Sequence, residues 1–286
     1  DILRDMAQPL RMIRLLQGDV GAGKTVVALL ALAAAVEAGT QGAFMVPTEI
    51  LARQHFATLS KMGAAAGLRI GLLTGREKGA ARDEVLAALA SGAIDILIGT
   101  HALFQDDVTF RDLGLAVIDE QHRFGVHQRL ALQAKANEAP DLLVMTATPI
   151  PRTLALTVYG DMDVSKLTEK PAGRLPIDTR VMPLSRIDDI VAGLARSLSQ
   201  GVRAYWVCPL VEESEVVDMA AAEDRYAALA KVFPAKVGLV HGRMKGADKD
   251  AVMARFSGKG PGADDILGPV DLLVATTVIE VGVDVP

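Results

Sequence analysis

From near its first residue to its last, the chain alternates short apolar runs with helix-length segments, and this rhythm limits the fold more than any single residue does. Strand-like runs fall at Arg14–Gln17, Gly42–Val46, Arg69–Leu73, Ile94–Gly99, Leu115–Asp119 and Asp141–Thr146. Helix-like stretches accompany them at Lys24–Ala38, Glu49–Ala65, Ala80–Ser91 and Ile150–Tyr159. Strands that are apolar throughout, each followed by a helix, belong to a mostly parallel sheet covered on both faces. The rhythm breaks at DMDVSKLTEKPAGRLP, residues 161–176, whose charges, prolines and glycine read as a linker. It resumes with strands near Ile177–Val181, Ala204–Cys208, Lys236–Val240 and Asp271–Ala275, and helices at Arg186–Ser199, Ala220–Val232 and Ala247–Phe256. Two α/β lobes are therefore expected, 1–168 and 169–286, the second incomplete at its C-terminus. The stretch Ser257–Val270, rich in Gly, Pro and Asp, reads as a surface loop.

Composition supports this plan. Half of the 286 residues are hydrophobic and only 4% are aromatic, which suits close packing of Ala, Val, Leu and Gly between helix and sheet. The single cysteine, Cys208, has no partner for an internal disulfide, so a reducing, cytoplasmic compartment is expected. No apolar run reaches the ~20 residues that span a bilayer, and the first residues lack the pattern of an export signal. Without an initiating Met, and stopping just after a strand-like run, the chain reads as a piece of a longer polypeptide. Its net charge of −5 weighs mildly against nucleic acid, although backbone amides and hydroxyls can grip a strand without a basic surface.

The strongest motif is GDVGAGKT: Gly18, Asp19, Val20, Gly21, Ala22, Gly23, Lys24 and Thr25. It lies between an apolar strand and an Ala-rich helix, the setting in which G-x-x-x-x-G-K-[ST] cradles phosphate. The glycines let successive N–H groups turn inward, and the helix start adds partial positive charge. Lys24 can reach the β- and γ-phosphates, and the Thr25 hydroxyl can ligate Mg²⁺. LGLAVIDEQH then delivers Asp119 at the end of a buried strand, suited to hold Mg²⁺, with Glu120 suited to orient an attacking water. Gln121 and His122 could sense the γ-phosphate. The expected cofactors are ATP and Mg²⁺, and Glu120 favours a hydrolase over a kinase, since nothing in the chain suggests an acceptor site.

GDVGAGKT, PTEILARQH, GTHALF, VIDEQHRFGVHQR, TATPIPRTLALTVYGDMD, VHGRMK and LLVATTVIEVGVDVP resemble, in order, the motifs of superfamily 2 helicases. Over the whole chain the resemblance is to the RecG family of ATP-dependent DNA helicases. A sister reading is the transcription-repair coupling factor, which shares HRFGV and TATPIPRT; DEQH and LTVYGDMD favour RecG. DEAD-box RNA helicases differ, reading DEAD and SAT where this chain has DEQH and TAT.

The resemblance implies two RecA-like P-loop lobes with ATP between them, acting on branched DNA or stalled forks in recombination and repair, as a monomer away from membranes. It matches Thr146 and Thr148 to the motif coupling hydrolysis to movement. It matches Thr48, Arg53, Thr100 and His101, with Thr276 and Thr277, to the nucleic-acid path. Gly282 and Asp284 match positions facing the nucleotide, and His241, Gly242 and Arg243 a segment beside the groove. Thr48, Arg53, Thr100, His101, Thr146 and Thr148 also have a plainer reading as strand-end or helix-cap residues, since Thr caps helices well, and VHGRM also reads as a strand-to-helix turn. RecG-like proteins continue past VGVDVP into an arginine-finger motif and carry an upstream wedge domain. Without these the chain would bind nucleotide and turn it over poorly, which leaves a binding module without motor activity as the competing class.

Overall fold

The structure, a computed structural model, describes residues 1–119, 139–148, 162–169, 177–208, 215–258 and 268–276. The chain divides into two compact units, Asp1–Arg174 and Leu175–Pro286.

Among the described residues, the first unit is built on a seven-stranded sheet. Its strands are β1 (Ile13–Gly18), β2 (Gln41–Met45), β3 (Ile70–Leu73), β4 (Ile96–Gly99), β5 (Leu113–Asp119), β6 (Asp141–Thr146) and β7 (Asp163–Leu167), and their spatial order is β3-β4-β2-β5-β6-β1-β7. Every pairing is parallel. Beside the strands run a short α1 (Ile2–Met6), then α2 (Lys24–Glu37), α3 (Glu49–Gly63) and α4 (Ala80–Ser91). The interior strands β2 and β4 are buried along their whole length, which is why they read as continuous apolar runs.

Alternation along β2 sorts its two faces. Gly42 and Phe44 face α2 and α3: a Cβ at Gly42 would collide with the Leu32 side chain, and the Phe44 ring meets His55. Ala43 and Met45 face the opposite cluster, with Leu89 of α4, Leu97 and Ile118. α2 forms because its KTVVALLALAAAVE sequence is rich in the strongest helix former. It buries Ala28, Leu29, Ala31, Leu32 and Ala35 on the sheet, and a fully buried leucine such as Leu32 contributes about 2 kcal/mol.

Two sequence expectations need correction. Part of the expected linker is strand β7, paired with β1 from Arg14↔Asp163 to Gly18↔Leu167. An edge strand needs apolar side chains on one face only, so DVSKL, with Asp163 exposed and Val164 half-buried, lacks the signature of the interior strands. The buried Arg14 secures it. Arg14 Nη1 donates to Ser165 Oγ at 2.9 Å, and its Nε donates to Asp5 Oδ2 at 2.9 Å, bringing α1 to the same point. The guanidinium's hydrogen bonds hold the Asp5 carboxyl below its ordinary range. The expected strand Ile177–Val181 is not one: Ile177 is 74% and Val181 99% exposed. Alternation alone makes no strand without a pairing partner, and the segment has none among the described residues.

In the second unit the described strands are β8 (Ala204–Val207), β9 (Val237–Val240) and β10 (Leu272–Ala275), parallel in the order β8-β10-β9. Leu272 and Val274 pack with Leu198 of α5 (Ile187–Ser199) and Leu229 of α6 (Glu215–Val232). Leu273 packs oppositely with Phe256 of α7 (Gly246–Ser257). Helices thus cover both faces, as the alternation predicts. The expected helix Ile150–Tyr159 and most of the expected loop after Ser257 lie outside the described residues. No helix among the described residues is long and apolar enough to cross a membrane.

Candidate active site

Because the first sheet is wholly parallel, every strand delivers its last residue to one edge, where ligands of such sheets bind. Along that edge Gly99 ends β4, Met45 ends β2, Asp119 ends β5, Thr146 ends β6 and Gly18 ends β1. Asp119 pairs with Met145 and Thr146 with Gln17, so only β6 separates the carboxylate from the GDVGAGKT turn. Two strand spacings put the two chain ends roughly 10 Å apart, a span that a carboxylate, a cation and a phosphate can fill.

The turn after β1 is shaped by backbone. Gly21 and Gly23 have φ of +79° and +94°, conformations that L side chains rarely adopt. Gly18 is also needed: a Cβ there would lie 2.9 Å from Leu167 Cβ on β7. Gly23 caps α2, so the first amides of that helix point toward the turn. Lys24 Nζ donates to the carbonyls of Gly18 at 2.7 Å and Asp19 at 3.1 Å, which holds the ammonium inside the loop. Asp19 Oδ1 accepts from the Val20 amide at 2.7 Å, and Ala22 N donates to Asp19 O at 3.1 Å. Thr25 is half-buried one residue into the helix. Beside the turn lies a pocket of about 440 Å³ lined by Gln17, Gly18, Asp19, Ala147, Lys166, Leu167 and Thr168. Lys166, Leu167 and Thr168 reach it through β7, the strand the sequence disguises as linker.

At the neighbouring strand ends the geometry rests on side chains. Asp119 is 9% exposed, and its Oδ2 stands 3.3 Å from His55 Nε2 of α3. Thr146 is buried, and its Oγ1 accepts from the Thr148 amide at 3.1 Å. Gln17 Nε2 donates to Thr148 O at 3.4 Å, so the TATP segment touches the strand that carries the turn. Glu120, Gln121 and His122 lie outside the described residues.

Of the residues matched to the nucleic-acid path, Thr48 and Arg53 follow β2 and Thr100 and His101 follow β4. Thr48 caps α3, its hydroxyl accepting from Leu51 N at 3.4 Å, so the plain capping role is real. Arg53 lies 3.4 Å from Glu49 and 3.0 Å from Glu77. Burial pushes the Glu77 carboxyl up, but hydrogen bonds from the Thr74 hydroxyl and amide, with Arg53 nearby, outweigh it and leave it below its ordinary value. Thr100 is buried and His101 exposed at the end of β4. In the second unit Thr276, just past β10, is buried. His241 is buried, 3.8 Å from Glu223, and Gly242 O accepts from Lys249 Nζ at 2.8 Å, while Arg243 is exposed. Thr277, Gly282 and Asp284 lie outside the described residues.

Sequence reasoning missed His55. The signal was present: the buried stripe of α3 is Leu51, Ala52, His55, Leu59 and Gly63, apolar but for one imidazole.

Residues 4–157 match the family model of the DEAD/DEAH box helicases, and residues 185–286 match that of the helicase conserved C-terminal domain. The ATP-dependent DNA helicase RecG of Escherichia coli K12 is 50% identical over the whole chain, and that of Bacillus subtilis 51%. The chain spans 41% of the length of each of these relatives. A solved RecG bound to a three-way DNA junction has a TM-score of 0.74 at 42% identity, covering all of this chain and 36% of that one. Mss116p bound to ssRNA and AMP-PNP, at 16% identity, has a TM-score of 0.70, covers 98% of this chain and 59% of its own, and shares the fold.

Proposed function

The chain belongs to the DEAD/DEAH box helicase family, and from that premise we propose that it is the ATP-hydrolysing motor of a RecG-type DNA helicase, acting on branched DNA or stalled forks in recombination and repair. The reading rests first on one observation: a glycine-shaped turn and a buried carboxylate end strands of one parallel sheet with a single strand between them. Likeness to RecG from two bacteria, and to RecG bound to a DNA junction, supports DNA as the partner. Such a protein works in the cytoplasm, and this one does so as a monomer. Residues 1–168 form the nucleotide-binding lobe and 169–286 the second helicase lobe.

Loop amides of Gly18, Asp19, Val20, Gly21, Ala22 and Gly23 bind the triphosphate. Lys24 exchanges its contacts with the Gly18 and Asp19 carbonyls for β- and γ-phosphate oxygens. Thr25 and Asp119 hold Mg²⁺, and they suit it, since this hard cation takes oxygen donors and needs only one or two carboxylates beside the phosphates. Among the described residues no cluster of three or more His, Cys, Asp and Glu offers another metal site. Bound Mg²⁺ supplies neutralisation of the charge that develops on the phosphate oxygens. Glu120 orients a water in line with the γ-phosphorus; the new P–O bond forms as the bond to the β–γ bridging oxygen breaks. Gln121 and His122 sense the γ-phosphate, and Gly282 and Asp284 face the nucleotide. Thr146 and Thr148 link that event to movement, while Thr48, Arg53, Thr100, His101, Thr276 and Thr277 line the DNA path.

ATP turnover measured without DNA, with linear duplex and with a forked duplex tests the proposal. Stimulation by DNA is the expected result. Turnover indifferent to every DNA would overturn the motor reading, and phosphate transfer to a small acceptor would replace it with a kinase.

A further inference from the structure

We propose that His55 is a positioning residue: it fixes the carboxylate of Asp119 for the divalent cation of the nucleotide and thereby ties that carboxylate to helix α3. The proposal rests on the nucleotide reading above.

An imidazole on the buried stripe of a helix must hydrogen-bond or its burial is costly. His55 is the polar member of that stripe, and its side chain reaches Asp119 at the end of β5. One face of its ring meets Phe44, with centroids 5.0 Å apart and planes at 45°. Phe44 is fully buried, so it limits how far the imidazole can swing. Nε2 then stands 3.3 Å from Asp119 Oδ2, with the two side chains only 11% and 13% exposed. A carboxylate oxygen accepts hydrogen bonds, so the tautomer with its proton on Nε2 donates to Oδ2 at this distance and sets the plane in which Oδ1 is presented. Side chains that orient a metal-binding carboxylate are typically worth about 10- to 100-fold in metal affinity.

Two residues before His55 on the same helix is Arg53, which faces Glu49 and Glu77 and belongs to a different cluster. Thr48 caps that helix. A displacement of α3 therefore moves the group that aims Asp119. The imidazole makes a physical joint between the strand ends assigned to nucleic acid and those assigned to nucleotide.

The test titrates Mg²⁺ into the full chain holding a fluorescent N-methylanthraniloyl ATP analogue, with thermal unfolding followed alongside. His55→Phe keeps a ring against Phe44 and removes the donor; His55→Gln keeps an N–H near the Nε2 position. His55→Leu repeats the apolar comparison where a phenyl ring does not fit. Half-saturation by Mg²⁺ should rise about 10-fold in His55→Phe, with Mg²⁺-free affinity for the analogue unchanged and most of the loss recovered in His55→Gln. A purely structural histidine would lower the unfolding temperature and affinity with and without Mg²⁺ alike, or leave the Mg²⁺ response at wild type; either result overturns the proposal. Lys24→Ala separates the two layers. If it binds the analogue as tightly as wild type, the nucleotide reading falls and takes this proposal with it. If it binds weakly while His55→Phe responds to Mg²⁺ normally, only the role of His55 falls.

Discussion

The carboxyl edge of the seven-stranded sheet has two halves that are built differently. Around β1 the working parts are backbone: Gly21 and Gly23 at positive φ, the amides that open α2, and one cation folded onto carbonyls of its own loop. Around β2 and β4 they are side chains already engaged with one another, with Thr48 capping α3 and Arg53 between Glu49 and Glu77. A backbone nest suits a ligand of fixed shape, because its amides are set by the turn and need no rearrangement. An arginine between two carboxylates must give up those contacts to meet a phosphate. In the proposed role on the DNA path, Arg53 exchanges these two ion pairs for a phosphate contact.

This contrast can be broken or sharpened by mutation. The largest effect expected is from Glu120→Gln, which should lower ATP turnover by about 10²–10⁴-fold and leave nucleotide binding intact; a quench-flow or steady-state phosphate assay reads it, and retained turnover removes Glu120 from the water-orienting role. Lys24→Ala comes next. Loss of its charge-assisted contacts should weaken ATP binding by about 100-fold in calorimetry, with DNA binding untouched if the two halves are separable. Gly23→Ala probes the backbone alone. A residue with a Cβ forced into the left-handed region costs about 1–2 kcal/mol, so nucleotide affinity should fall by roughly 10-fold while the turn straightens. Normal affinity in this variant would mean that the turn does not depend on the geometry of Gly23.

The smallest effect falls in the other half. Arg53→Ala should weaken DNA binding several-fold, uniformly across sequences, and lower the slope of log affinity against log salt by about 1. An unchanged salt slope with a lower unfolding temperature would assign Arg53 to the ion-pair cluster alone.

How far the sequence can be read follows the same division. The buried parallel strands β2, β4 and β5 were visible because both faces are covered and nearly every residue is apolar. GDVGAGKT was visible because a tight turn before a helix constrains residues that are adjacent in the chain. Strand β7 was hidden, since an edge strand is half-covered and its hold on Arg14 joins residues far apart in sequence. The run Ile177–Val181 misleads for the converse reason: its pattern is right, but it pairs with none of the described strands and stays exposed. His55 stood in the open inside PTEILARQH, and nothing local marks it as the neighbour of Asp119.

The sequence by itself determined the layered α/β plan, the positions of its principal strands along the chain, the phosphate-type turn and the acidic strand end. All of these are written in short-range periodicity and in backbone conformations that only certain residues allow. Only the tertiary structure decided that the former linker closes the sheet beside β1 and that His55 reaches Asp119. Contacts of this kind depend on which strands lie side by side, and that order arises from burying all the helices and strands together.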